Sequence, residues 1–355
     1  MARNYGLILA GGRGTRFWPR SRRKHSKQVL SVVGERTLIQ QTVDRLKPVL
    51  PPERLWVLTN PDLRAEIVRQ LPEVPRRQIL AEPAARNTAP AIGLGAHILE
   101  SIDPDAVMGV FSADQAIQKP AGYLRAVRAA FRAAAGGRMV VLGIAPRWPE
   151  TGYGYIEFPR GTRPGSPAPV LRFHEKPELP TARRYVASGR FFWNAGIFFW
   201  RAAVFQAALR RYLPQTAALL DGLPAFGARD FTAKLREIFP RCEKISVDYA
   251  VLERAGDVFG VPCGDIGWSD VGSWNAVYEL LDHDPDGNAV RTDALLLESQ
   301  GNYVDAEGKL VALLGVRDLV IVDTPDALLV ADRKRAQRVG KLVEELERRG
   351  RDELL

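Results

Sequence analysis

Four apolar residues, Leu7-Ile8-Leu9-Ala10, break directly into Gly11-Gly12-Arg13-Gly14. A short apolar run ended by glycines reads as a buried strand that stops at an open turn. From Arg13 to Lys27 the chain carries seven Lys or Arg residues and no acid. Backbone N–H groups at a glycine turn, followed by cations, form a cradle for a polyphosphate. Two familiar cradles are excluded by the residues themselves. A Walker loop needs Gly-Lys-Ser/Thr, which is absent here, and the dinucleotide fingerprint needs glycine where Phe17 stands.

Past this loop, helical and strand-like stretches alternate. Residues 37–46 have helical apolar spacing, 55–59 read as a strand, and 61–70 as a helix. A strand near Ile79, a helix opening at Asn87-Thr88-Ala89-Pro90, a strand over 106–111, a helix over 123–135 and a strand over 139–144 continue the rhythm. That is the pattern of an α/β fold, a Rossmann-like, mostly parallel sheet flanked by helices. Ligands in such sheets sit outside the carboxyl ends of the strands, where the glycine turn falls. From about residue 285 the texture changes to short β-type runs, 294–297, 310–314, 319–322 and 327–330, separated by turn residues. The expected division is a catalytic domain over 1–284 and a small β-helix-like unit over 285–355. A terminal amphipathic helix spans 332–349, with Val339, Leu342, Val343 and Leu346 on one face, to dock on the β unit or on a second subunit. A homodimer is left open.

Several polar residues stand out against this frame. Asp114 follows the apolar strand 106–111, so its carboxylate would enter the ligand crevice. Beside a polyphosphate its natural task is to hold Mg²⁺. Asp270, inside Gly267-Trp268-Ser269-Asp270-Val271-Gly272-Ser273-Trp274, is a second candidate metal ligand. Asn87 and Thr88 are helix-capping residues, with a base-contacting role left open. Glu82, just before Pro83, has no packing explanation. In the aromatic run 191–200, Asn194-Ala195-Gly196 leaves a gap suited to a sugar-sized ligand.

The formal charge of +9 would suit nucleic acid. The cations gather beside a glycine turn rather than along an aromatic-studded groove, so a polyphosphate substrate is the better reading and no nucleic-acid partner is expected. Cys242 and Cys263 offer neither a disulfide framework nor a CxxC metal site. No apolar run approaches the ~18 residues that span a membrane, and the first apolar stretch is too short for a signal peptide. A cytoplasmic protein without a membrane partner is expected. The four histidines, His25, His97, His174 and His283, form no ligand pair, and there is no GxSxG elbow.

The segments LAGGRGTRFWPRSR, EPAARNTAPAI, FSADQ, TGYGYIE, FHEKP, WNAGIFFW, SVDYAVLE and GWSDVGSW stand in this order along the chain. Together they resemble the sugar-phosphate nucleotidylyltransferases, specifically the bacterial guanylyltransferases acting on mannose 1-phosphate. The closing VIVDTPDALLVADR and its helix match the same subgroup. The resemblance implies transfer of GMP from GTP to mannose 1-phosphate with Mg²⁺. It would place Leu9, Ala10, Gly11, Gly12, Arg13, Gly14 and Thr15 around the nucleotide phosphates. Arg16 and Lys27 would neutralise charge, and Glu82, Asn87 and Thr88 would lie near guanine and ribose. Gly154, Glu175, Asn194 and Gly196 would take the sugar, Lys176 its phosphate, and Asp114 and Asp270 the metal. The chain departs from that pattern at Ser26, where Pro is usual, and at Gln115, where His is frequent. Loop rigidity and a supporting contact are expected to differ there.

Overall fold

A computed structural model of the chain describes residues 3–355. Strands β1 (Asn4–Ala10), β2 (Leu55–Thr59), β3 (Ile79–Ala81) and β4 (Val107–Ser112) lie side by side in the order β3-β2-β1-β4, all parallel. The sheet continues through Phe191–Arg201, Met139–Ile144 and Val258–Cys263. Of these seven strands only Phe191–Arg201 runs against its neighbours, so the spine is mostly parallel as expected. Short strands Tyr155–Glu157 and Arg172–His174 extend it beyond Phe191.

The strands are apolar throughout because both faces are covered. Along β1 and β4, Leu7, Met108 and Val110 enter one core while Ile8, Val107 and Phe111 enter the other. Helices α1 (Leu38–Leu46), α2 (Pro61–Gln70) and α4 (Pro120–Ala135) contribute to the second of these, α3 (Thr88–Ile102) to the first. Helix α3 lies close because it carries glycine: a Cβ at Gly95 would run into Leu7.

The C-terminal unit is a short parallel β-helix. Ala289–Val290, Tyr303–Asp305 and Leu319–Thr324 stack in parallel on one side, and Ala294–Leu297 pairs in parallel with Val311–Leu314 on another. Ala327–Asp332 closes the stack antiparallel. The terminal amphipathic segment is shorter than its sequence pattern implies. A 3₁₀ stretch, Arg333–Arg338, precedes the helix Gly340–Arg348, and Leu342 is exposed. Val339 and Val343 instead pack into a third core with Phe17, Trp18, Trp274, Tyr303 and Val320. The helix therefore docks on the loop after the glycine turn. No helix among the described residues is long and apolar enough to cross a membrane.

Trp274 is the centre of that core. Its ring meets Phe17 edge-on at 5.0 Å and stacks on Tyr303 at 5.5 Å, while its indole N–H donates to the Trp18 carbonyl at 3.1 Å. Replacing Trp274 by Ala is expected to destabilise the chain by about 3–5 kcal/mol, the usual cost of removing a large buried aromatic. Denaturant unfolding measures it; a loss under about 1 kcal/mol would mean that the two units do not depend on a shared core.

Candidate active site

The glycine turn is tied down by the segment that returns to it. Ser26 donates its hydroxyl to the Gly12 carbonyl at 2.9 Å, and Gln28 donates its amide to the carbonyls of Ala10 and Gly12 at 2.7 and 3.0 Å. A turn whose carbonyls face protein donors does not present them to an anion. Ser26 thus ties the returning segment to the turn by a side-chain hydrogen bond. Gly14 is required at its place twice over, by φ of +61° and by the approach of Lys27, whose Cβ and backbone nitrogen lie 2.7 Å from where a Cβ would stand.

Lys27 is buried, with its ammonium 3.0 Å from Asp114 Oδ2 and donating to the Asp270 carbonyl at 2.6 Å. Burial alone would raise the pKa of Asp114. The Lys27 ammonium and the Ser112 hydroxyl outweigh it and hold that carboxyl below its ordinary value. Asp114 and Asp270, far apart in sequence, therefore meet through one cation.

Asp114 lines a cleft of about 390 Å³ with Leu9, Ala10, Gly11, Gly12, Glu82, Asn87 and Thr88. Arg13, Gly14 and Thr15, expected in the same group, lie outside this lining. Glu82 Oε1 is buried without a hydrogen-bond partner, and burial pushes its pKa up to about 8. Asn87 caps α3 with a backbone φ of 65°, its side chain accepting from the Thr88 N–H at 2.8 Å. Thr88 Oγ1 accepts from the Val247 N–H at 2.9 Å, which joins α3 to the SVDYAVLE segment. That segment is a single π-helical turn, Asp248–Leu252, rather than a helix capped by Ser246 or Asp248.

Beyond the end of β4 lies a second group. The register of Phe191–Arg201 slips between Asn194 and Phe198, and Gly196 adopts φ of 65°. Asn194 donates Nδ2 to Asp248 at 2.8 Å and accepts from the Gly196 N–H at 3.1 Å. Its own N–H donates to the Gly154 carbonyl at 2.8 Å. A side chain at Gly154 would collide with Glu175. Glu175 Oε2 is buried and unpartnered, Oε1 lies 3.3 Å from Lys176 Nζ, and burial followed by repulsion from Asp248 moves the pKa up to about 7. Gly154, Glu175, Lys176, Asn194 and Gly196 are thus brought together.

Most cations of the basic loop meet the C-terminal unit. Arg13 pairs with Glu347, Arg20 with Asp305 and Glu307, Arg22 with Asp326, and Arg23 with Asp352. Arg16 donates to Gln337 at 2.7 Å and does not line the cleft. Five of the seven cations thus bind the C-terminal unit, because its acids lie across the loop from them.

A nucleotidyl transferase family model matches residues 5–287, and a mannose-phosphate isomerase/GMP-like β-helix domain model matches residues 292–346. Mannose-1-phosphate guanylyltransferase of Escherichia coli is 41% identical over 98% of this chain and 74% of its own length. That of Salmonella typhimurium is 40% identical over the same shares. The chain belongs to the mannose-1-phosphate guanylyltransferase family. It is a nucleotidyltransferase enzyme. A crystal structure from Thermus thermophilus, described as a mannose-1-phosphate geranyltransferase, superposes with a TM-score of 0.87 at 35% identity, covering 97% of this chain and 99% of that one.

Within this guanylyltransferase framework, sequence reasoning missed Gln28 and the cleft-lining Ser112, Arg86 and Lys244. Asp248 reads from the sequence only as a cap. Gln28, Lys244 and Asp248 lie far along the chain from the groups they meet, while Ser112 and Arg86 stand inside the quoted motifs but carry no spacing signal of their own. Glu82→Gln is expected to stabilise the chain at pH 8 relative to wild type and to leave stability near pH 4 unchanged. A carboxyl whose folded pKa is raised contributes stability that is complete below about 4.5 and lost as pH rises through about 8, and Gln does not ionise. Thermal unfolding at the two pH values tests this; equal shifts at both would dissociate the effect from ionisation.

Proposed function

We infer that the chain makes GDP-mannose and pyrophosphate from GTP and mannose 1-phosphate. The observation that carries this reading is the buried, unpartnered Glu82 oxygen in the cleft that begins at the glycine turn and Asp114. Ionised on binding, that carboxyl can accept from both N1–H and N2–H₂ of guanine, a pair of donors that adenine lacks and that would offset the desolvation now raising its pKa. The glycine turn would then receive the phosphates. The group around Asn194 and Glu175 would take the sugar hydroxyls, with Lys176 beside its phosphate.

In this reading a phosphate oxygen of mannose 1-phosphate attacks the α-phosphorus of GTP in line. A P–O bond forms to the sugar phosphate, the α–β bond breaks, and pyrophosphate leaves with its electron pair. No protein nucleophile is needed. Positioning two polyanions and screening the charge between them is the catalytic task, and buried Lys27 is the cation best placed for it.

Asp114 and Asp270 offer hard oxygen donors for Mg²⁺. Asp114 lines the cleft and is held ionised, and Asp270 meets the same Lys27 ammonium through its carbonyl. Mg²⁺ takes one or two carboxylates and would complete its shell with substrate phosphates. When bound it would supply further neutralisation of the phosphate charge.

Pyrophosphate release measured over four NTPs and several sugar 1-phosphates tests the activity. GTP with mannose 1-phosphate is expected to give the highest kcat/KM; a preference for UTP or dTTP with glucose 1-phosphate would overturn the substrate assignment. Lys27→Ala and Asp270→Asn are each expected to lower turnover by at least ~10²-fold, the scale of one lost electrostatic stabiliser. Near-normal turnover would remove that residue from the mechanism.

A homodimer through the β unit is part of the same proposal. Leu295, Leu297 and Leu314, on the paired strands Ala294–Leu297 and Val311–Leu314, are 52%, 53% and 71% exposed. A contiguous apolar face of this kind suits a twofold contact with its own copy. Sedimentation is expected to show a dimer that Leu295→Lys with Leu314→Lys converts to monomer; a monomeric wild type would sink the idea.

A further inference from the structure

Gln115 sits where three segments meet, and the chemistry proposed above gives it no task. It is 7% exposed. Its Nε2 donates to the Ala195 carbonyl at 2.6 Å, and its Oε1 accepts from the Trp268 indole N–H at 3.1 Å. Its main-chain carbonyl accepts from Arg45 at 3.3 Å. Each side-chain partner adjoins a residue of the site. Ala195 lies between Asn194 and Gly196, inside the bulge where the strand loses register. Trp268 opens the two-residue strand Trp268–Ser269, which pairs with Ala116–Ile117 and leads directly into Asp270. Gln115 itself follows Asp114.

A bulge is not held by its own ladder. Ala195 stands in neither the pairing to β4 nor that to Met139–Ile144, so the donor for its carbonyl must come from elsewhere. A buried carbonyl and a buried indole N–H both need partners, and one primary amide satisfies the two at once, donating at one end and accepting at the other.

We propose that Gln115 is a positioning residue for the sugar phosphate. It fixes the bulge so that Asn194 keeps its bonds to Gly196 and Asp248. This rests on the reading of the Asn194 and Glu175 group as the sugar side. Gln115 does not line the 390 Å³ cleft, so the nucleotide side does not depend on it.

The test uses the full chain with GTP and mannose 1-phosphate, and two variants of nearly unchanged length. Gln115→Met removes both polar functions and is expected to raise KM for mannose 1-phosphate about tenfold while KM for GTP stays within about twofold. Tenfold is about 1.4 kcal/mol, the scale of one net hydrogen bond. Gln115→Glu keeps the acceptor for Trp268 but sets a carboxylate oxygen against the Ala195 carbonyl, so it should raise the same KM at least as far. A KM for GTP held within about twofold in both variants, with thermal unfolding midpoints near wild type, separates lost positioning from misfolding, which would impair both substrates. Both KM values unchanged in Gln115→Met, or both raised equally, would overturn the role of Gln115 while leaving the activity intact. A wild type that neither turns over nor, by calorimetric titration, binds mannose 1-phosphate would overturn the activity reading and this inference with it.

Discussion

The buried ammonium of Lys27 is the interaction on which the site depends. Three segments distant in sequence reach it: the glycine turn packs Gly14 against its stem, β4 ends in Asp114, and the Gly267–Trp274 segment supplies the Asp270 carbonyl. A buried cation without partners carries a large desolvation penalty, so each contact is needed to keep the charge inside. The same charge keeps Asp114 ionised despite burial. One side chain therefore fixes both the geometry and the protonation state at the point where phosphates would react.

The arginines around Lys27 have a different task. A loop of this length, rich in cations, would be mobile if it met only solvent. Here its acids come from the β-helix and the terminal helix, and the aromatic core around Trp274 lies beneath. The outer pairs of Arg13 and Arg23 are exposed and contribute little individually, so the aromatic core and the largely buried Arg20–Asp305 pair hold the attachment. The C-terminal unit is thereby part of the active site's construction even though it lines none of the 390 Å³ cleft.

The two carboxyls suited to substrate recognition, Glu82 and Glu175, are held near or above neutrality by burial, with pKa values of about 8 and 7. A fold stores such groups because a ligand can repay the desolvation with donors that water no longer supplies. Both have a buried oxygen that no protein donor satisfies.

The alternating α/β order, the glycine turn at the end of β1, the change to a β-helix-like tail and the family are all legible in local motifs. Strand and helix periods act over a few residues, and a glycine turn is specified by its own residues. The apolar face of 332–349 was legible in the same way, although its partner was not. Which cations turn toward the cleft and which toward the acids of the C-terminal unit is set by folding, because Arg13 and Lys27 look alike until Glu347 and Asp114 are brought to them. Folding likewise sets the bonds of Gln115 and Asn194 and the meeting of Asp114 with Asp270. The reason is physical: hydrogen bonds and ion pairs act over a few ångströms between residues that can stand hundreds of positions apart, and sequence spacing carries no record of that proximity.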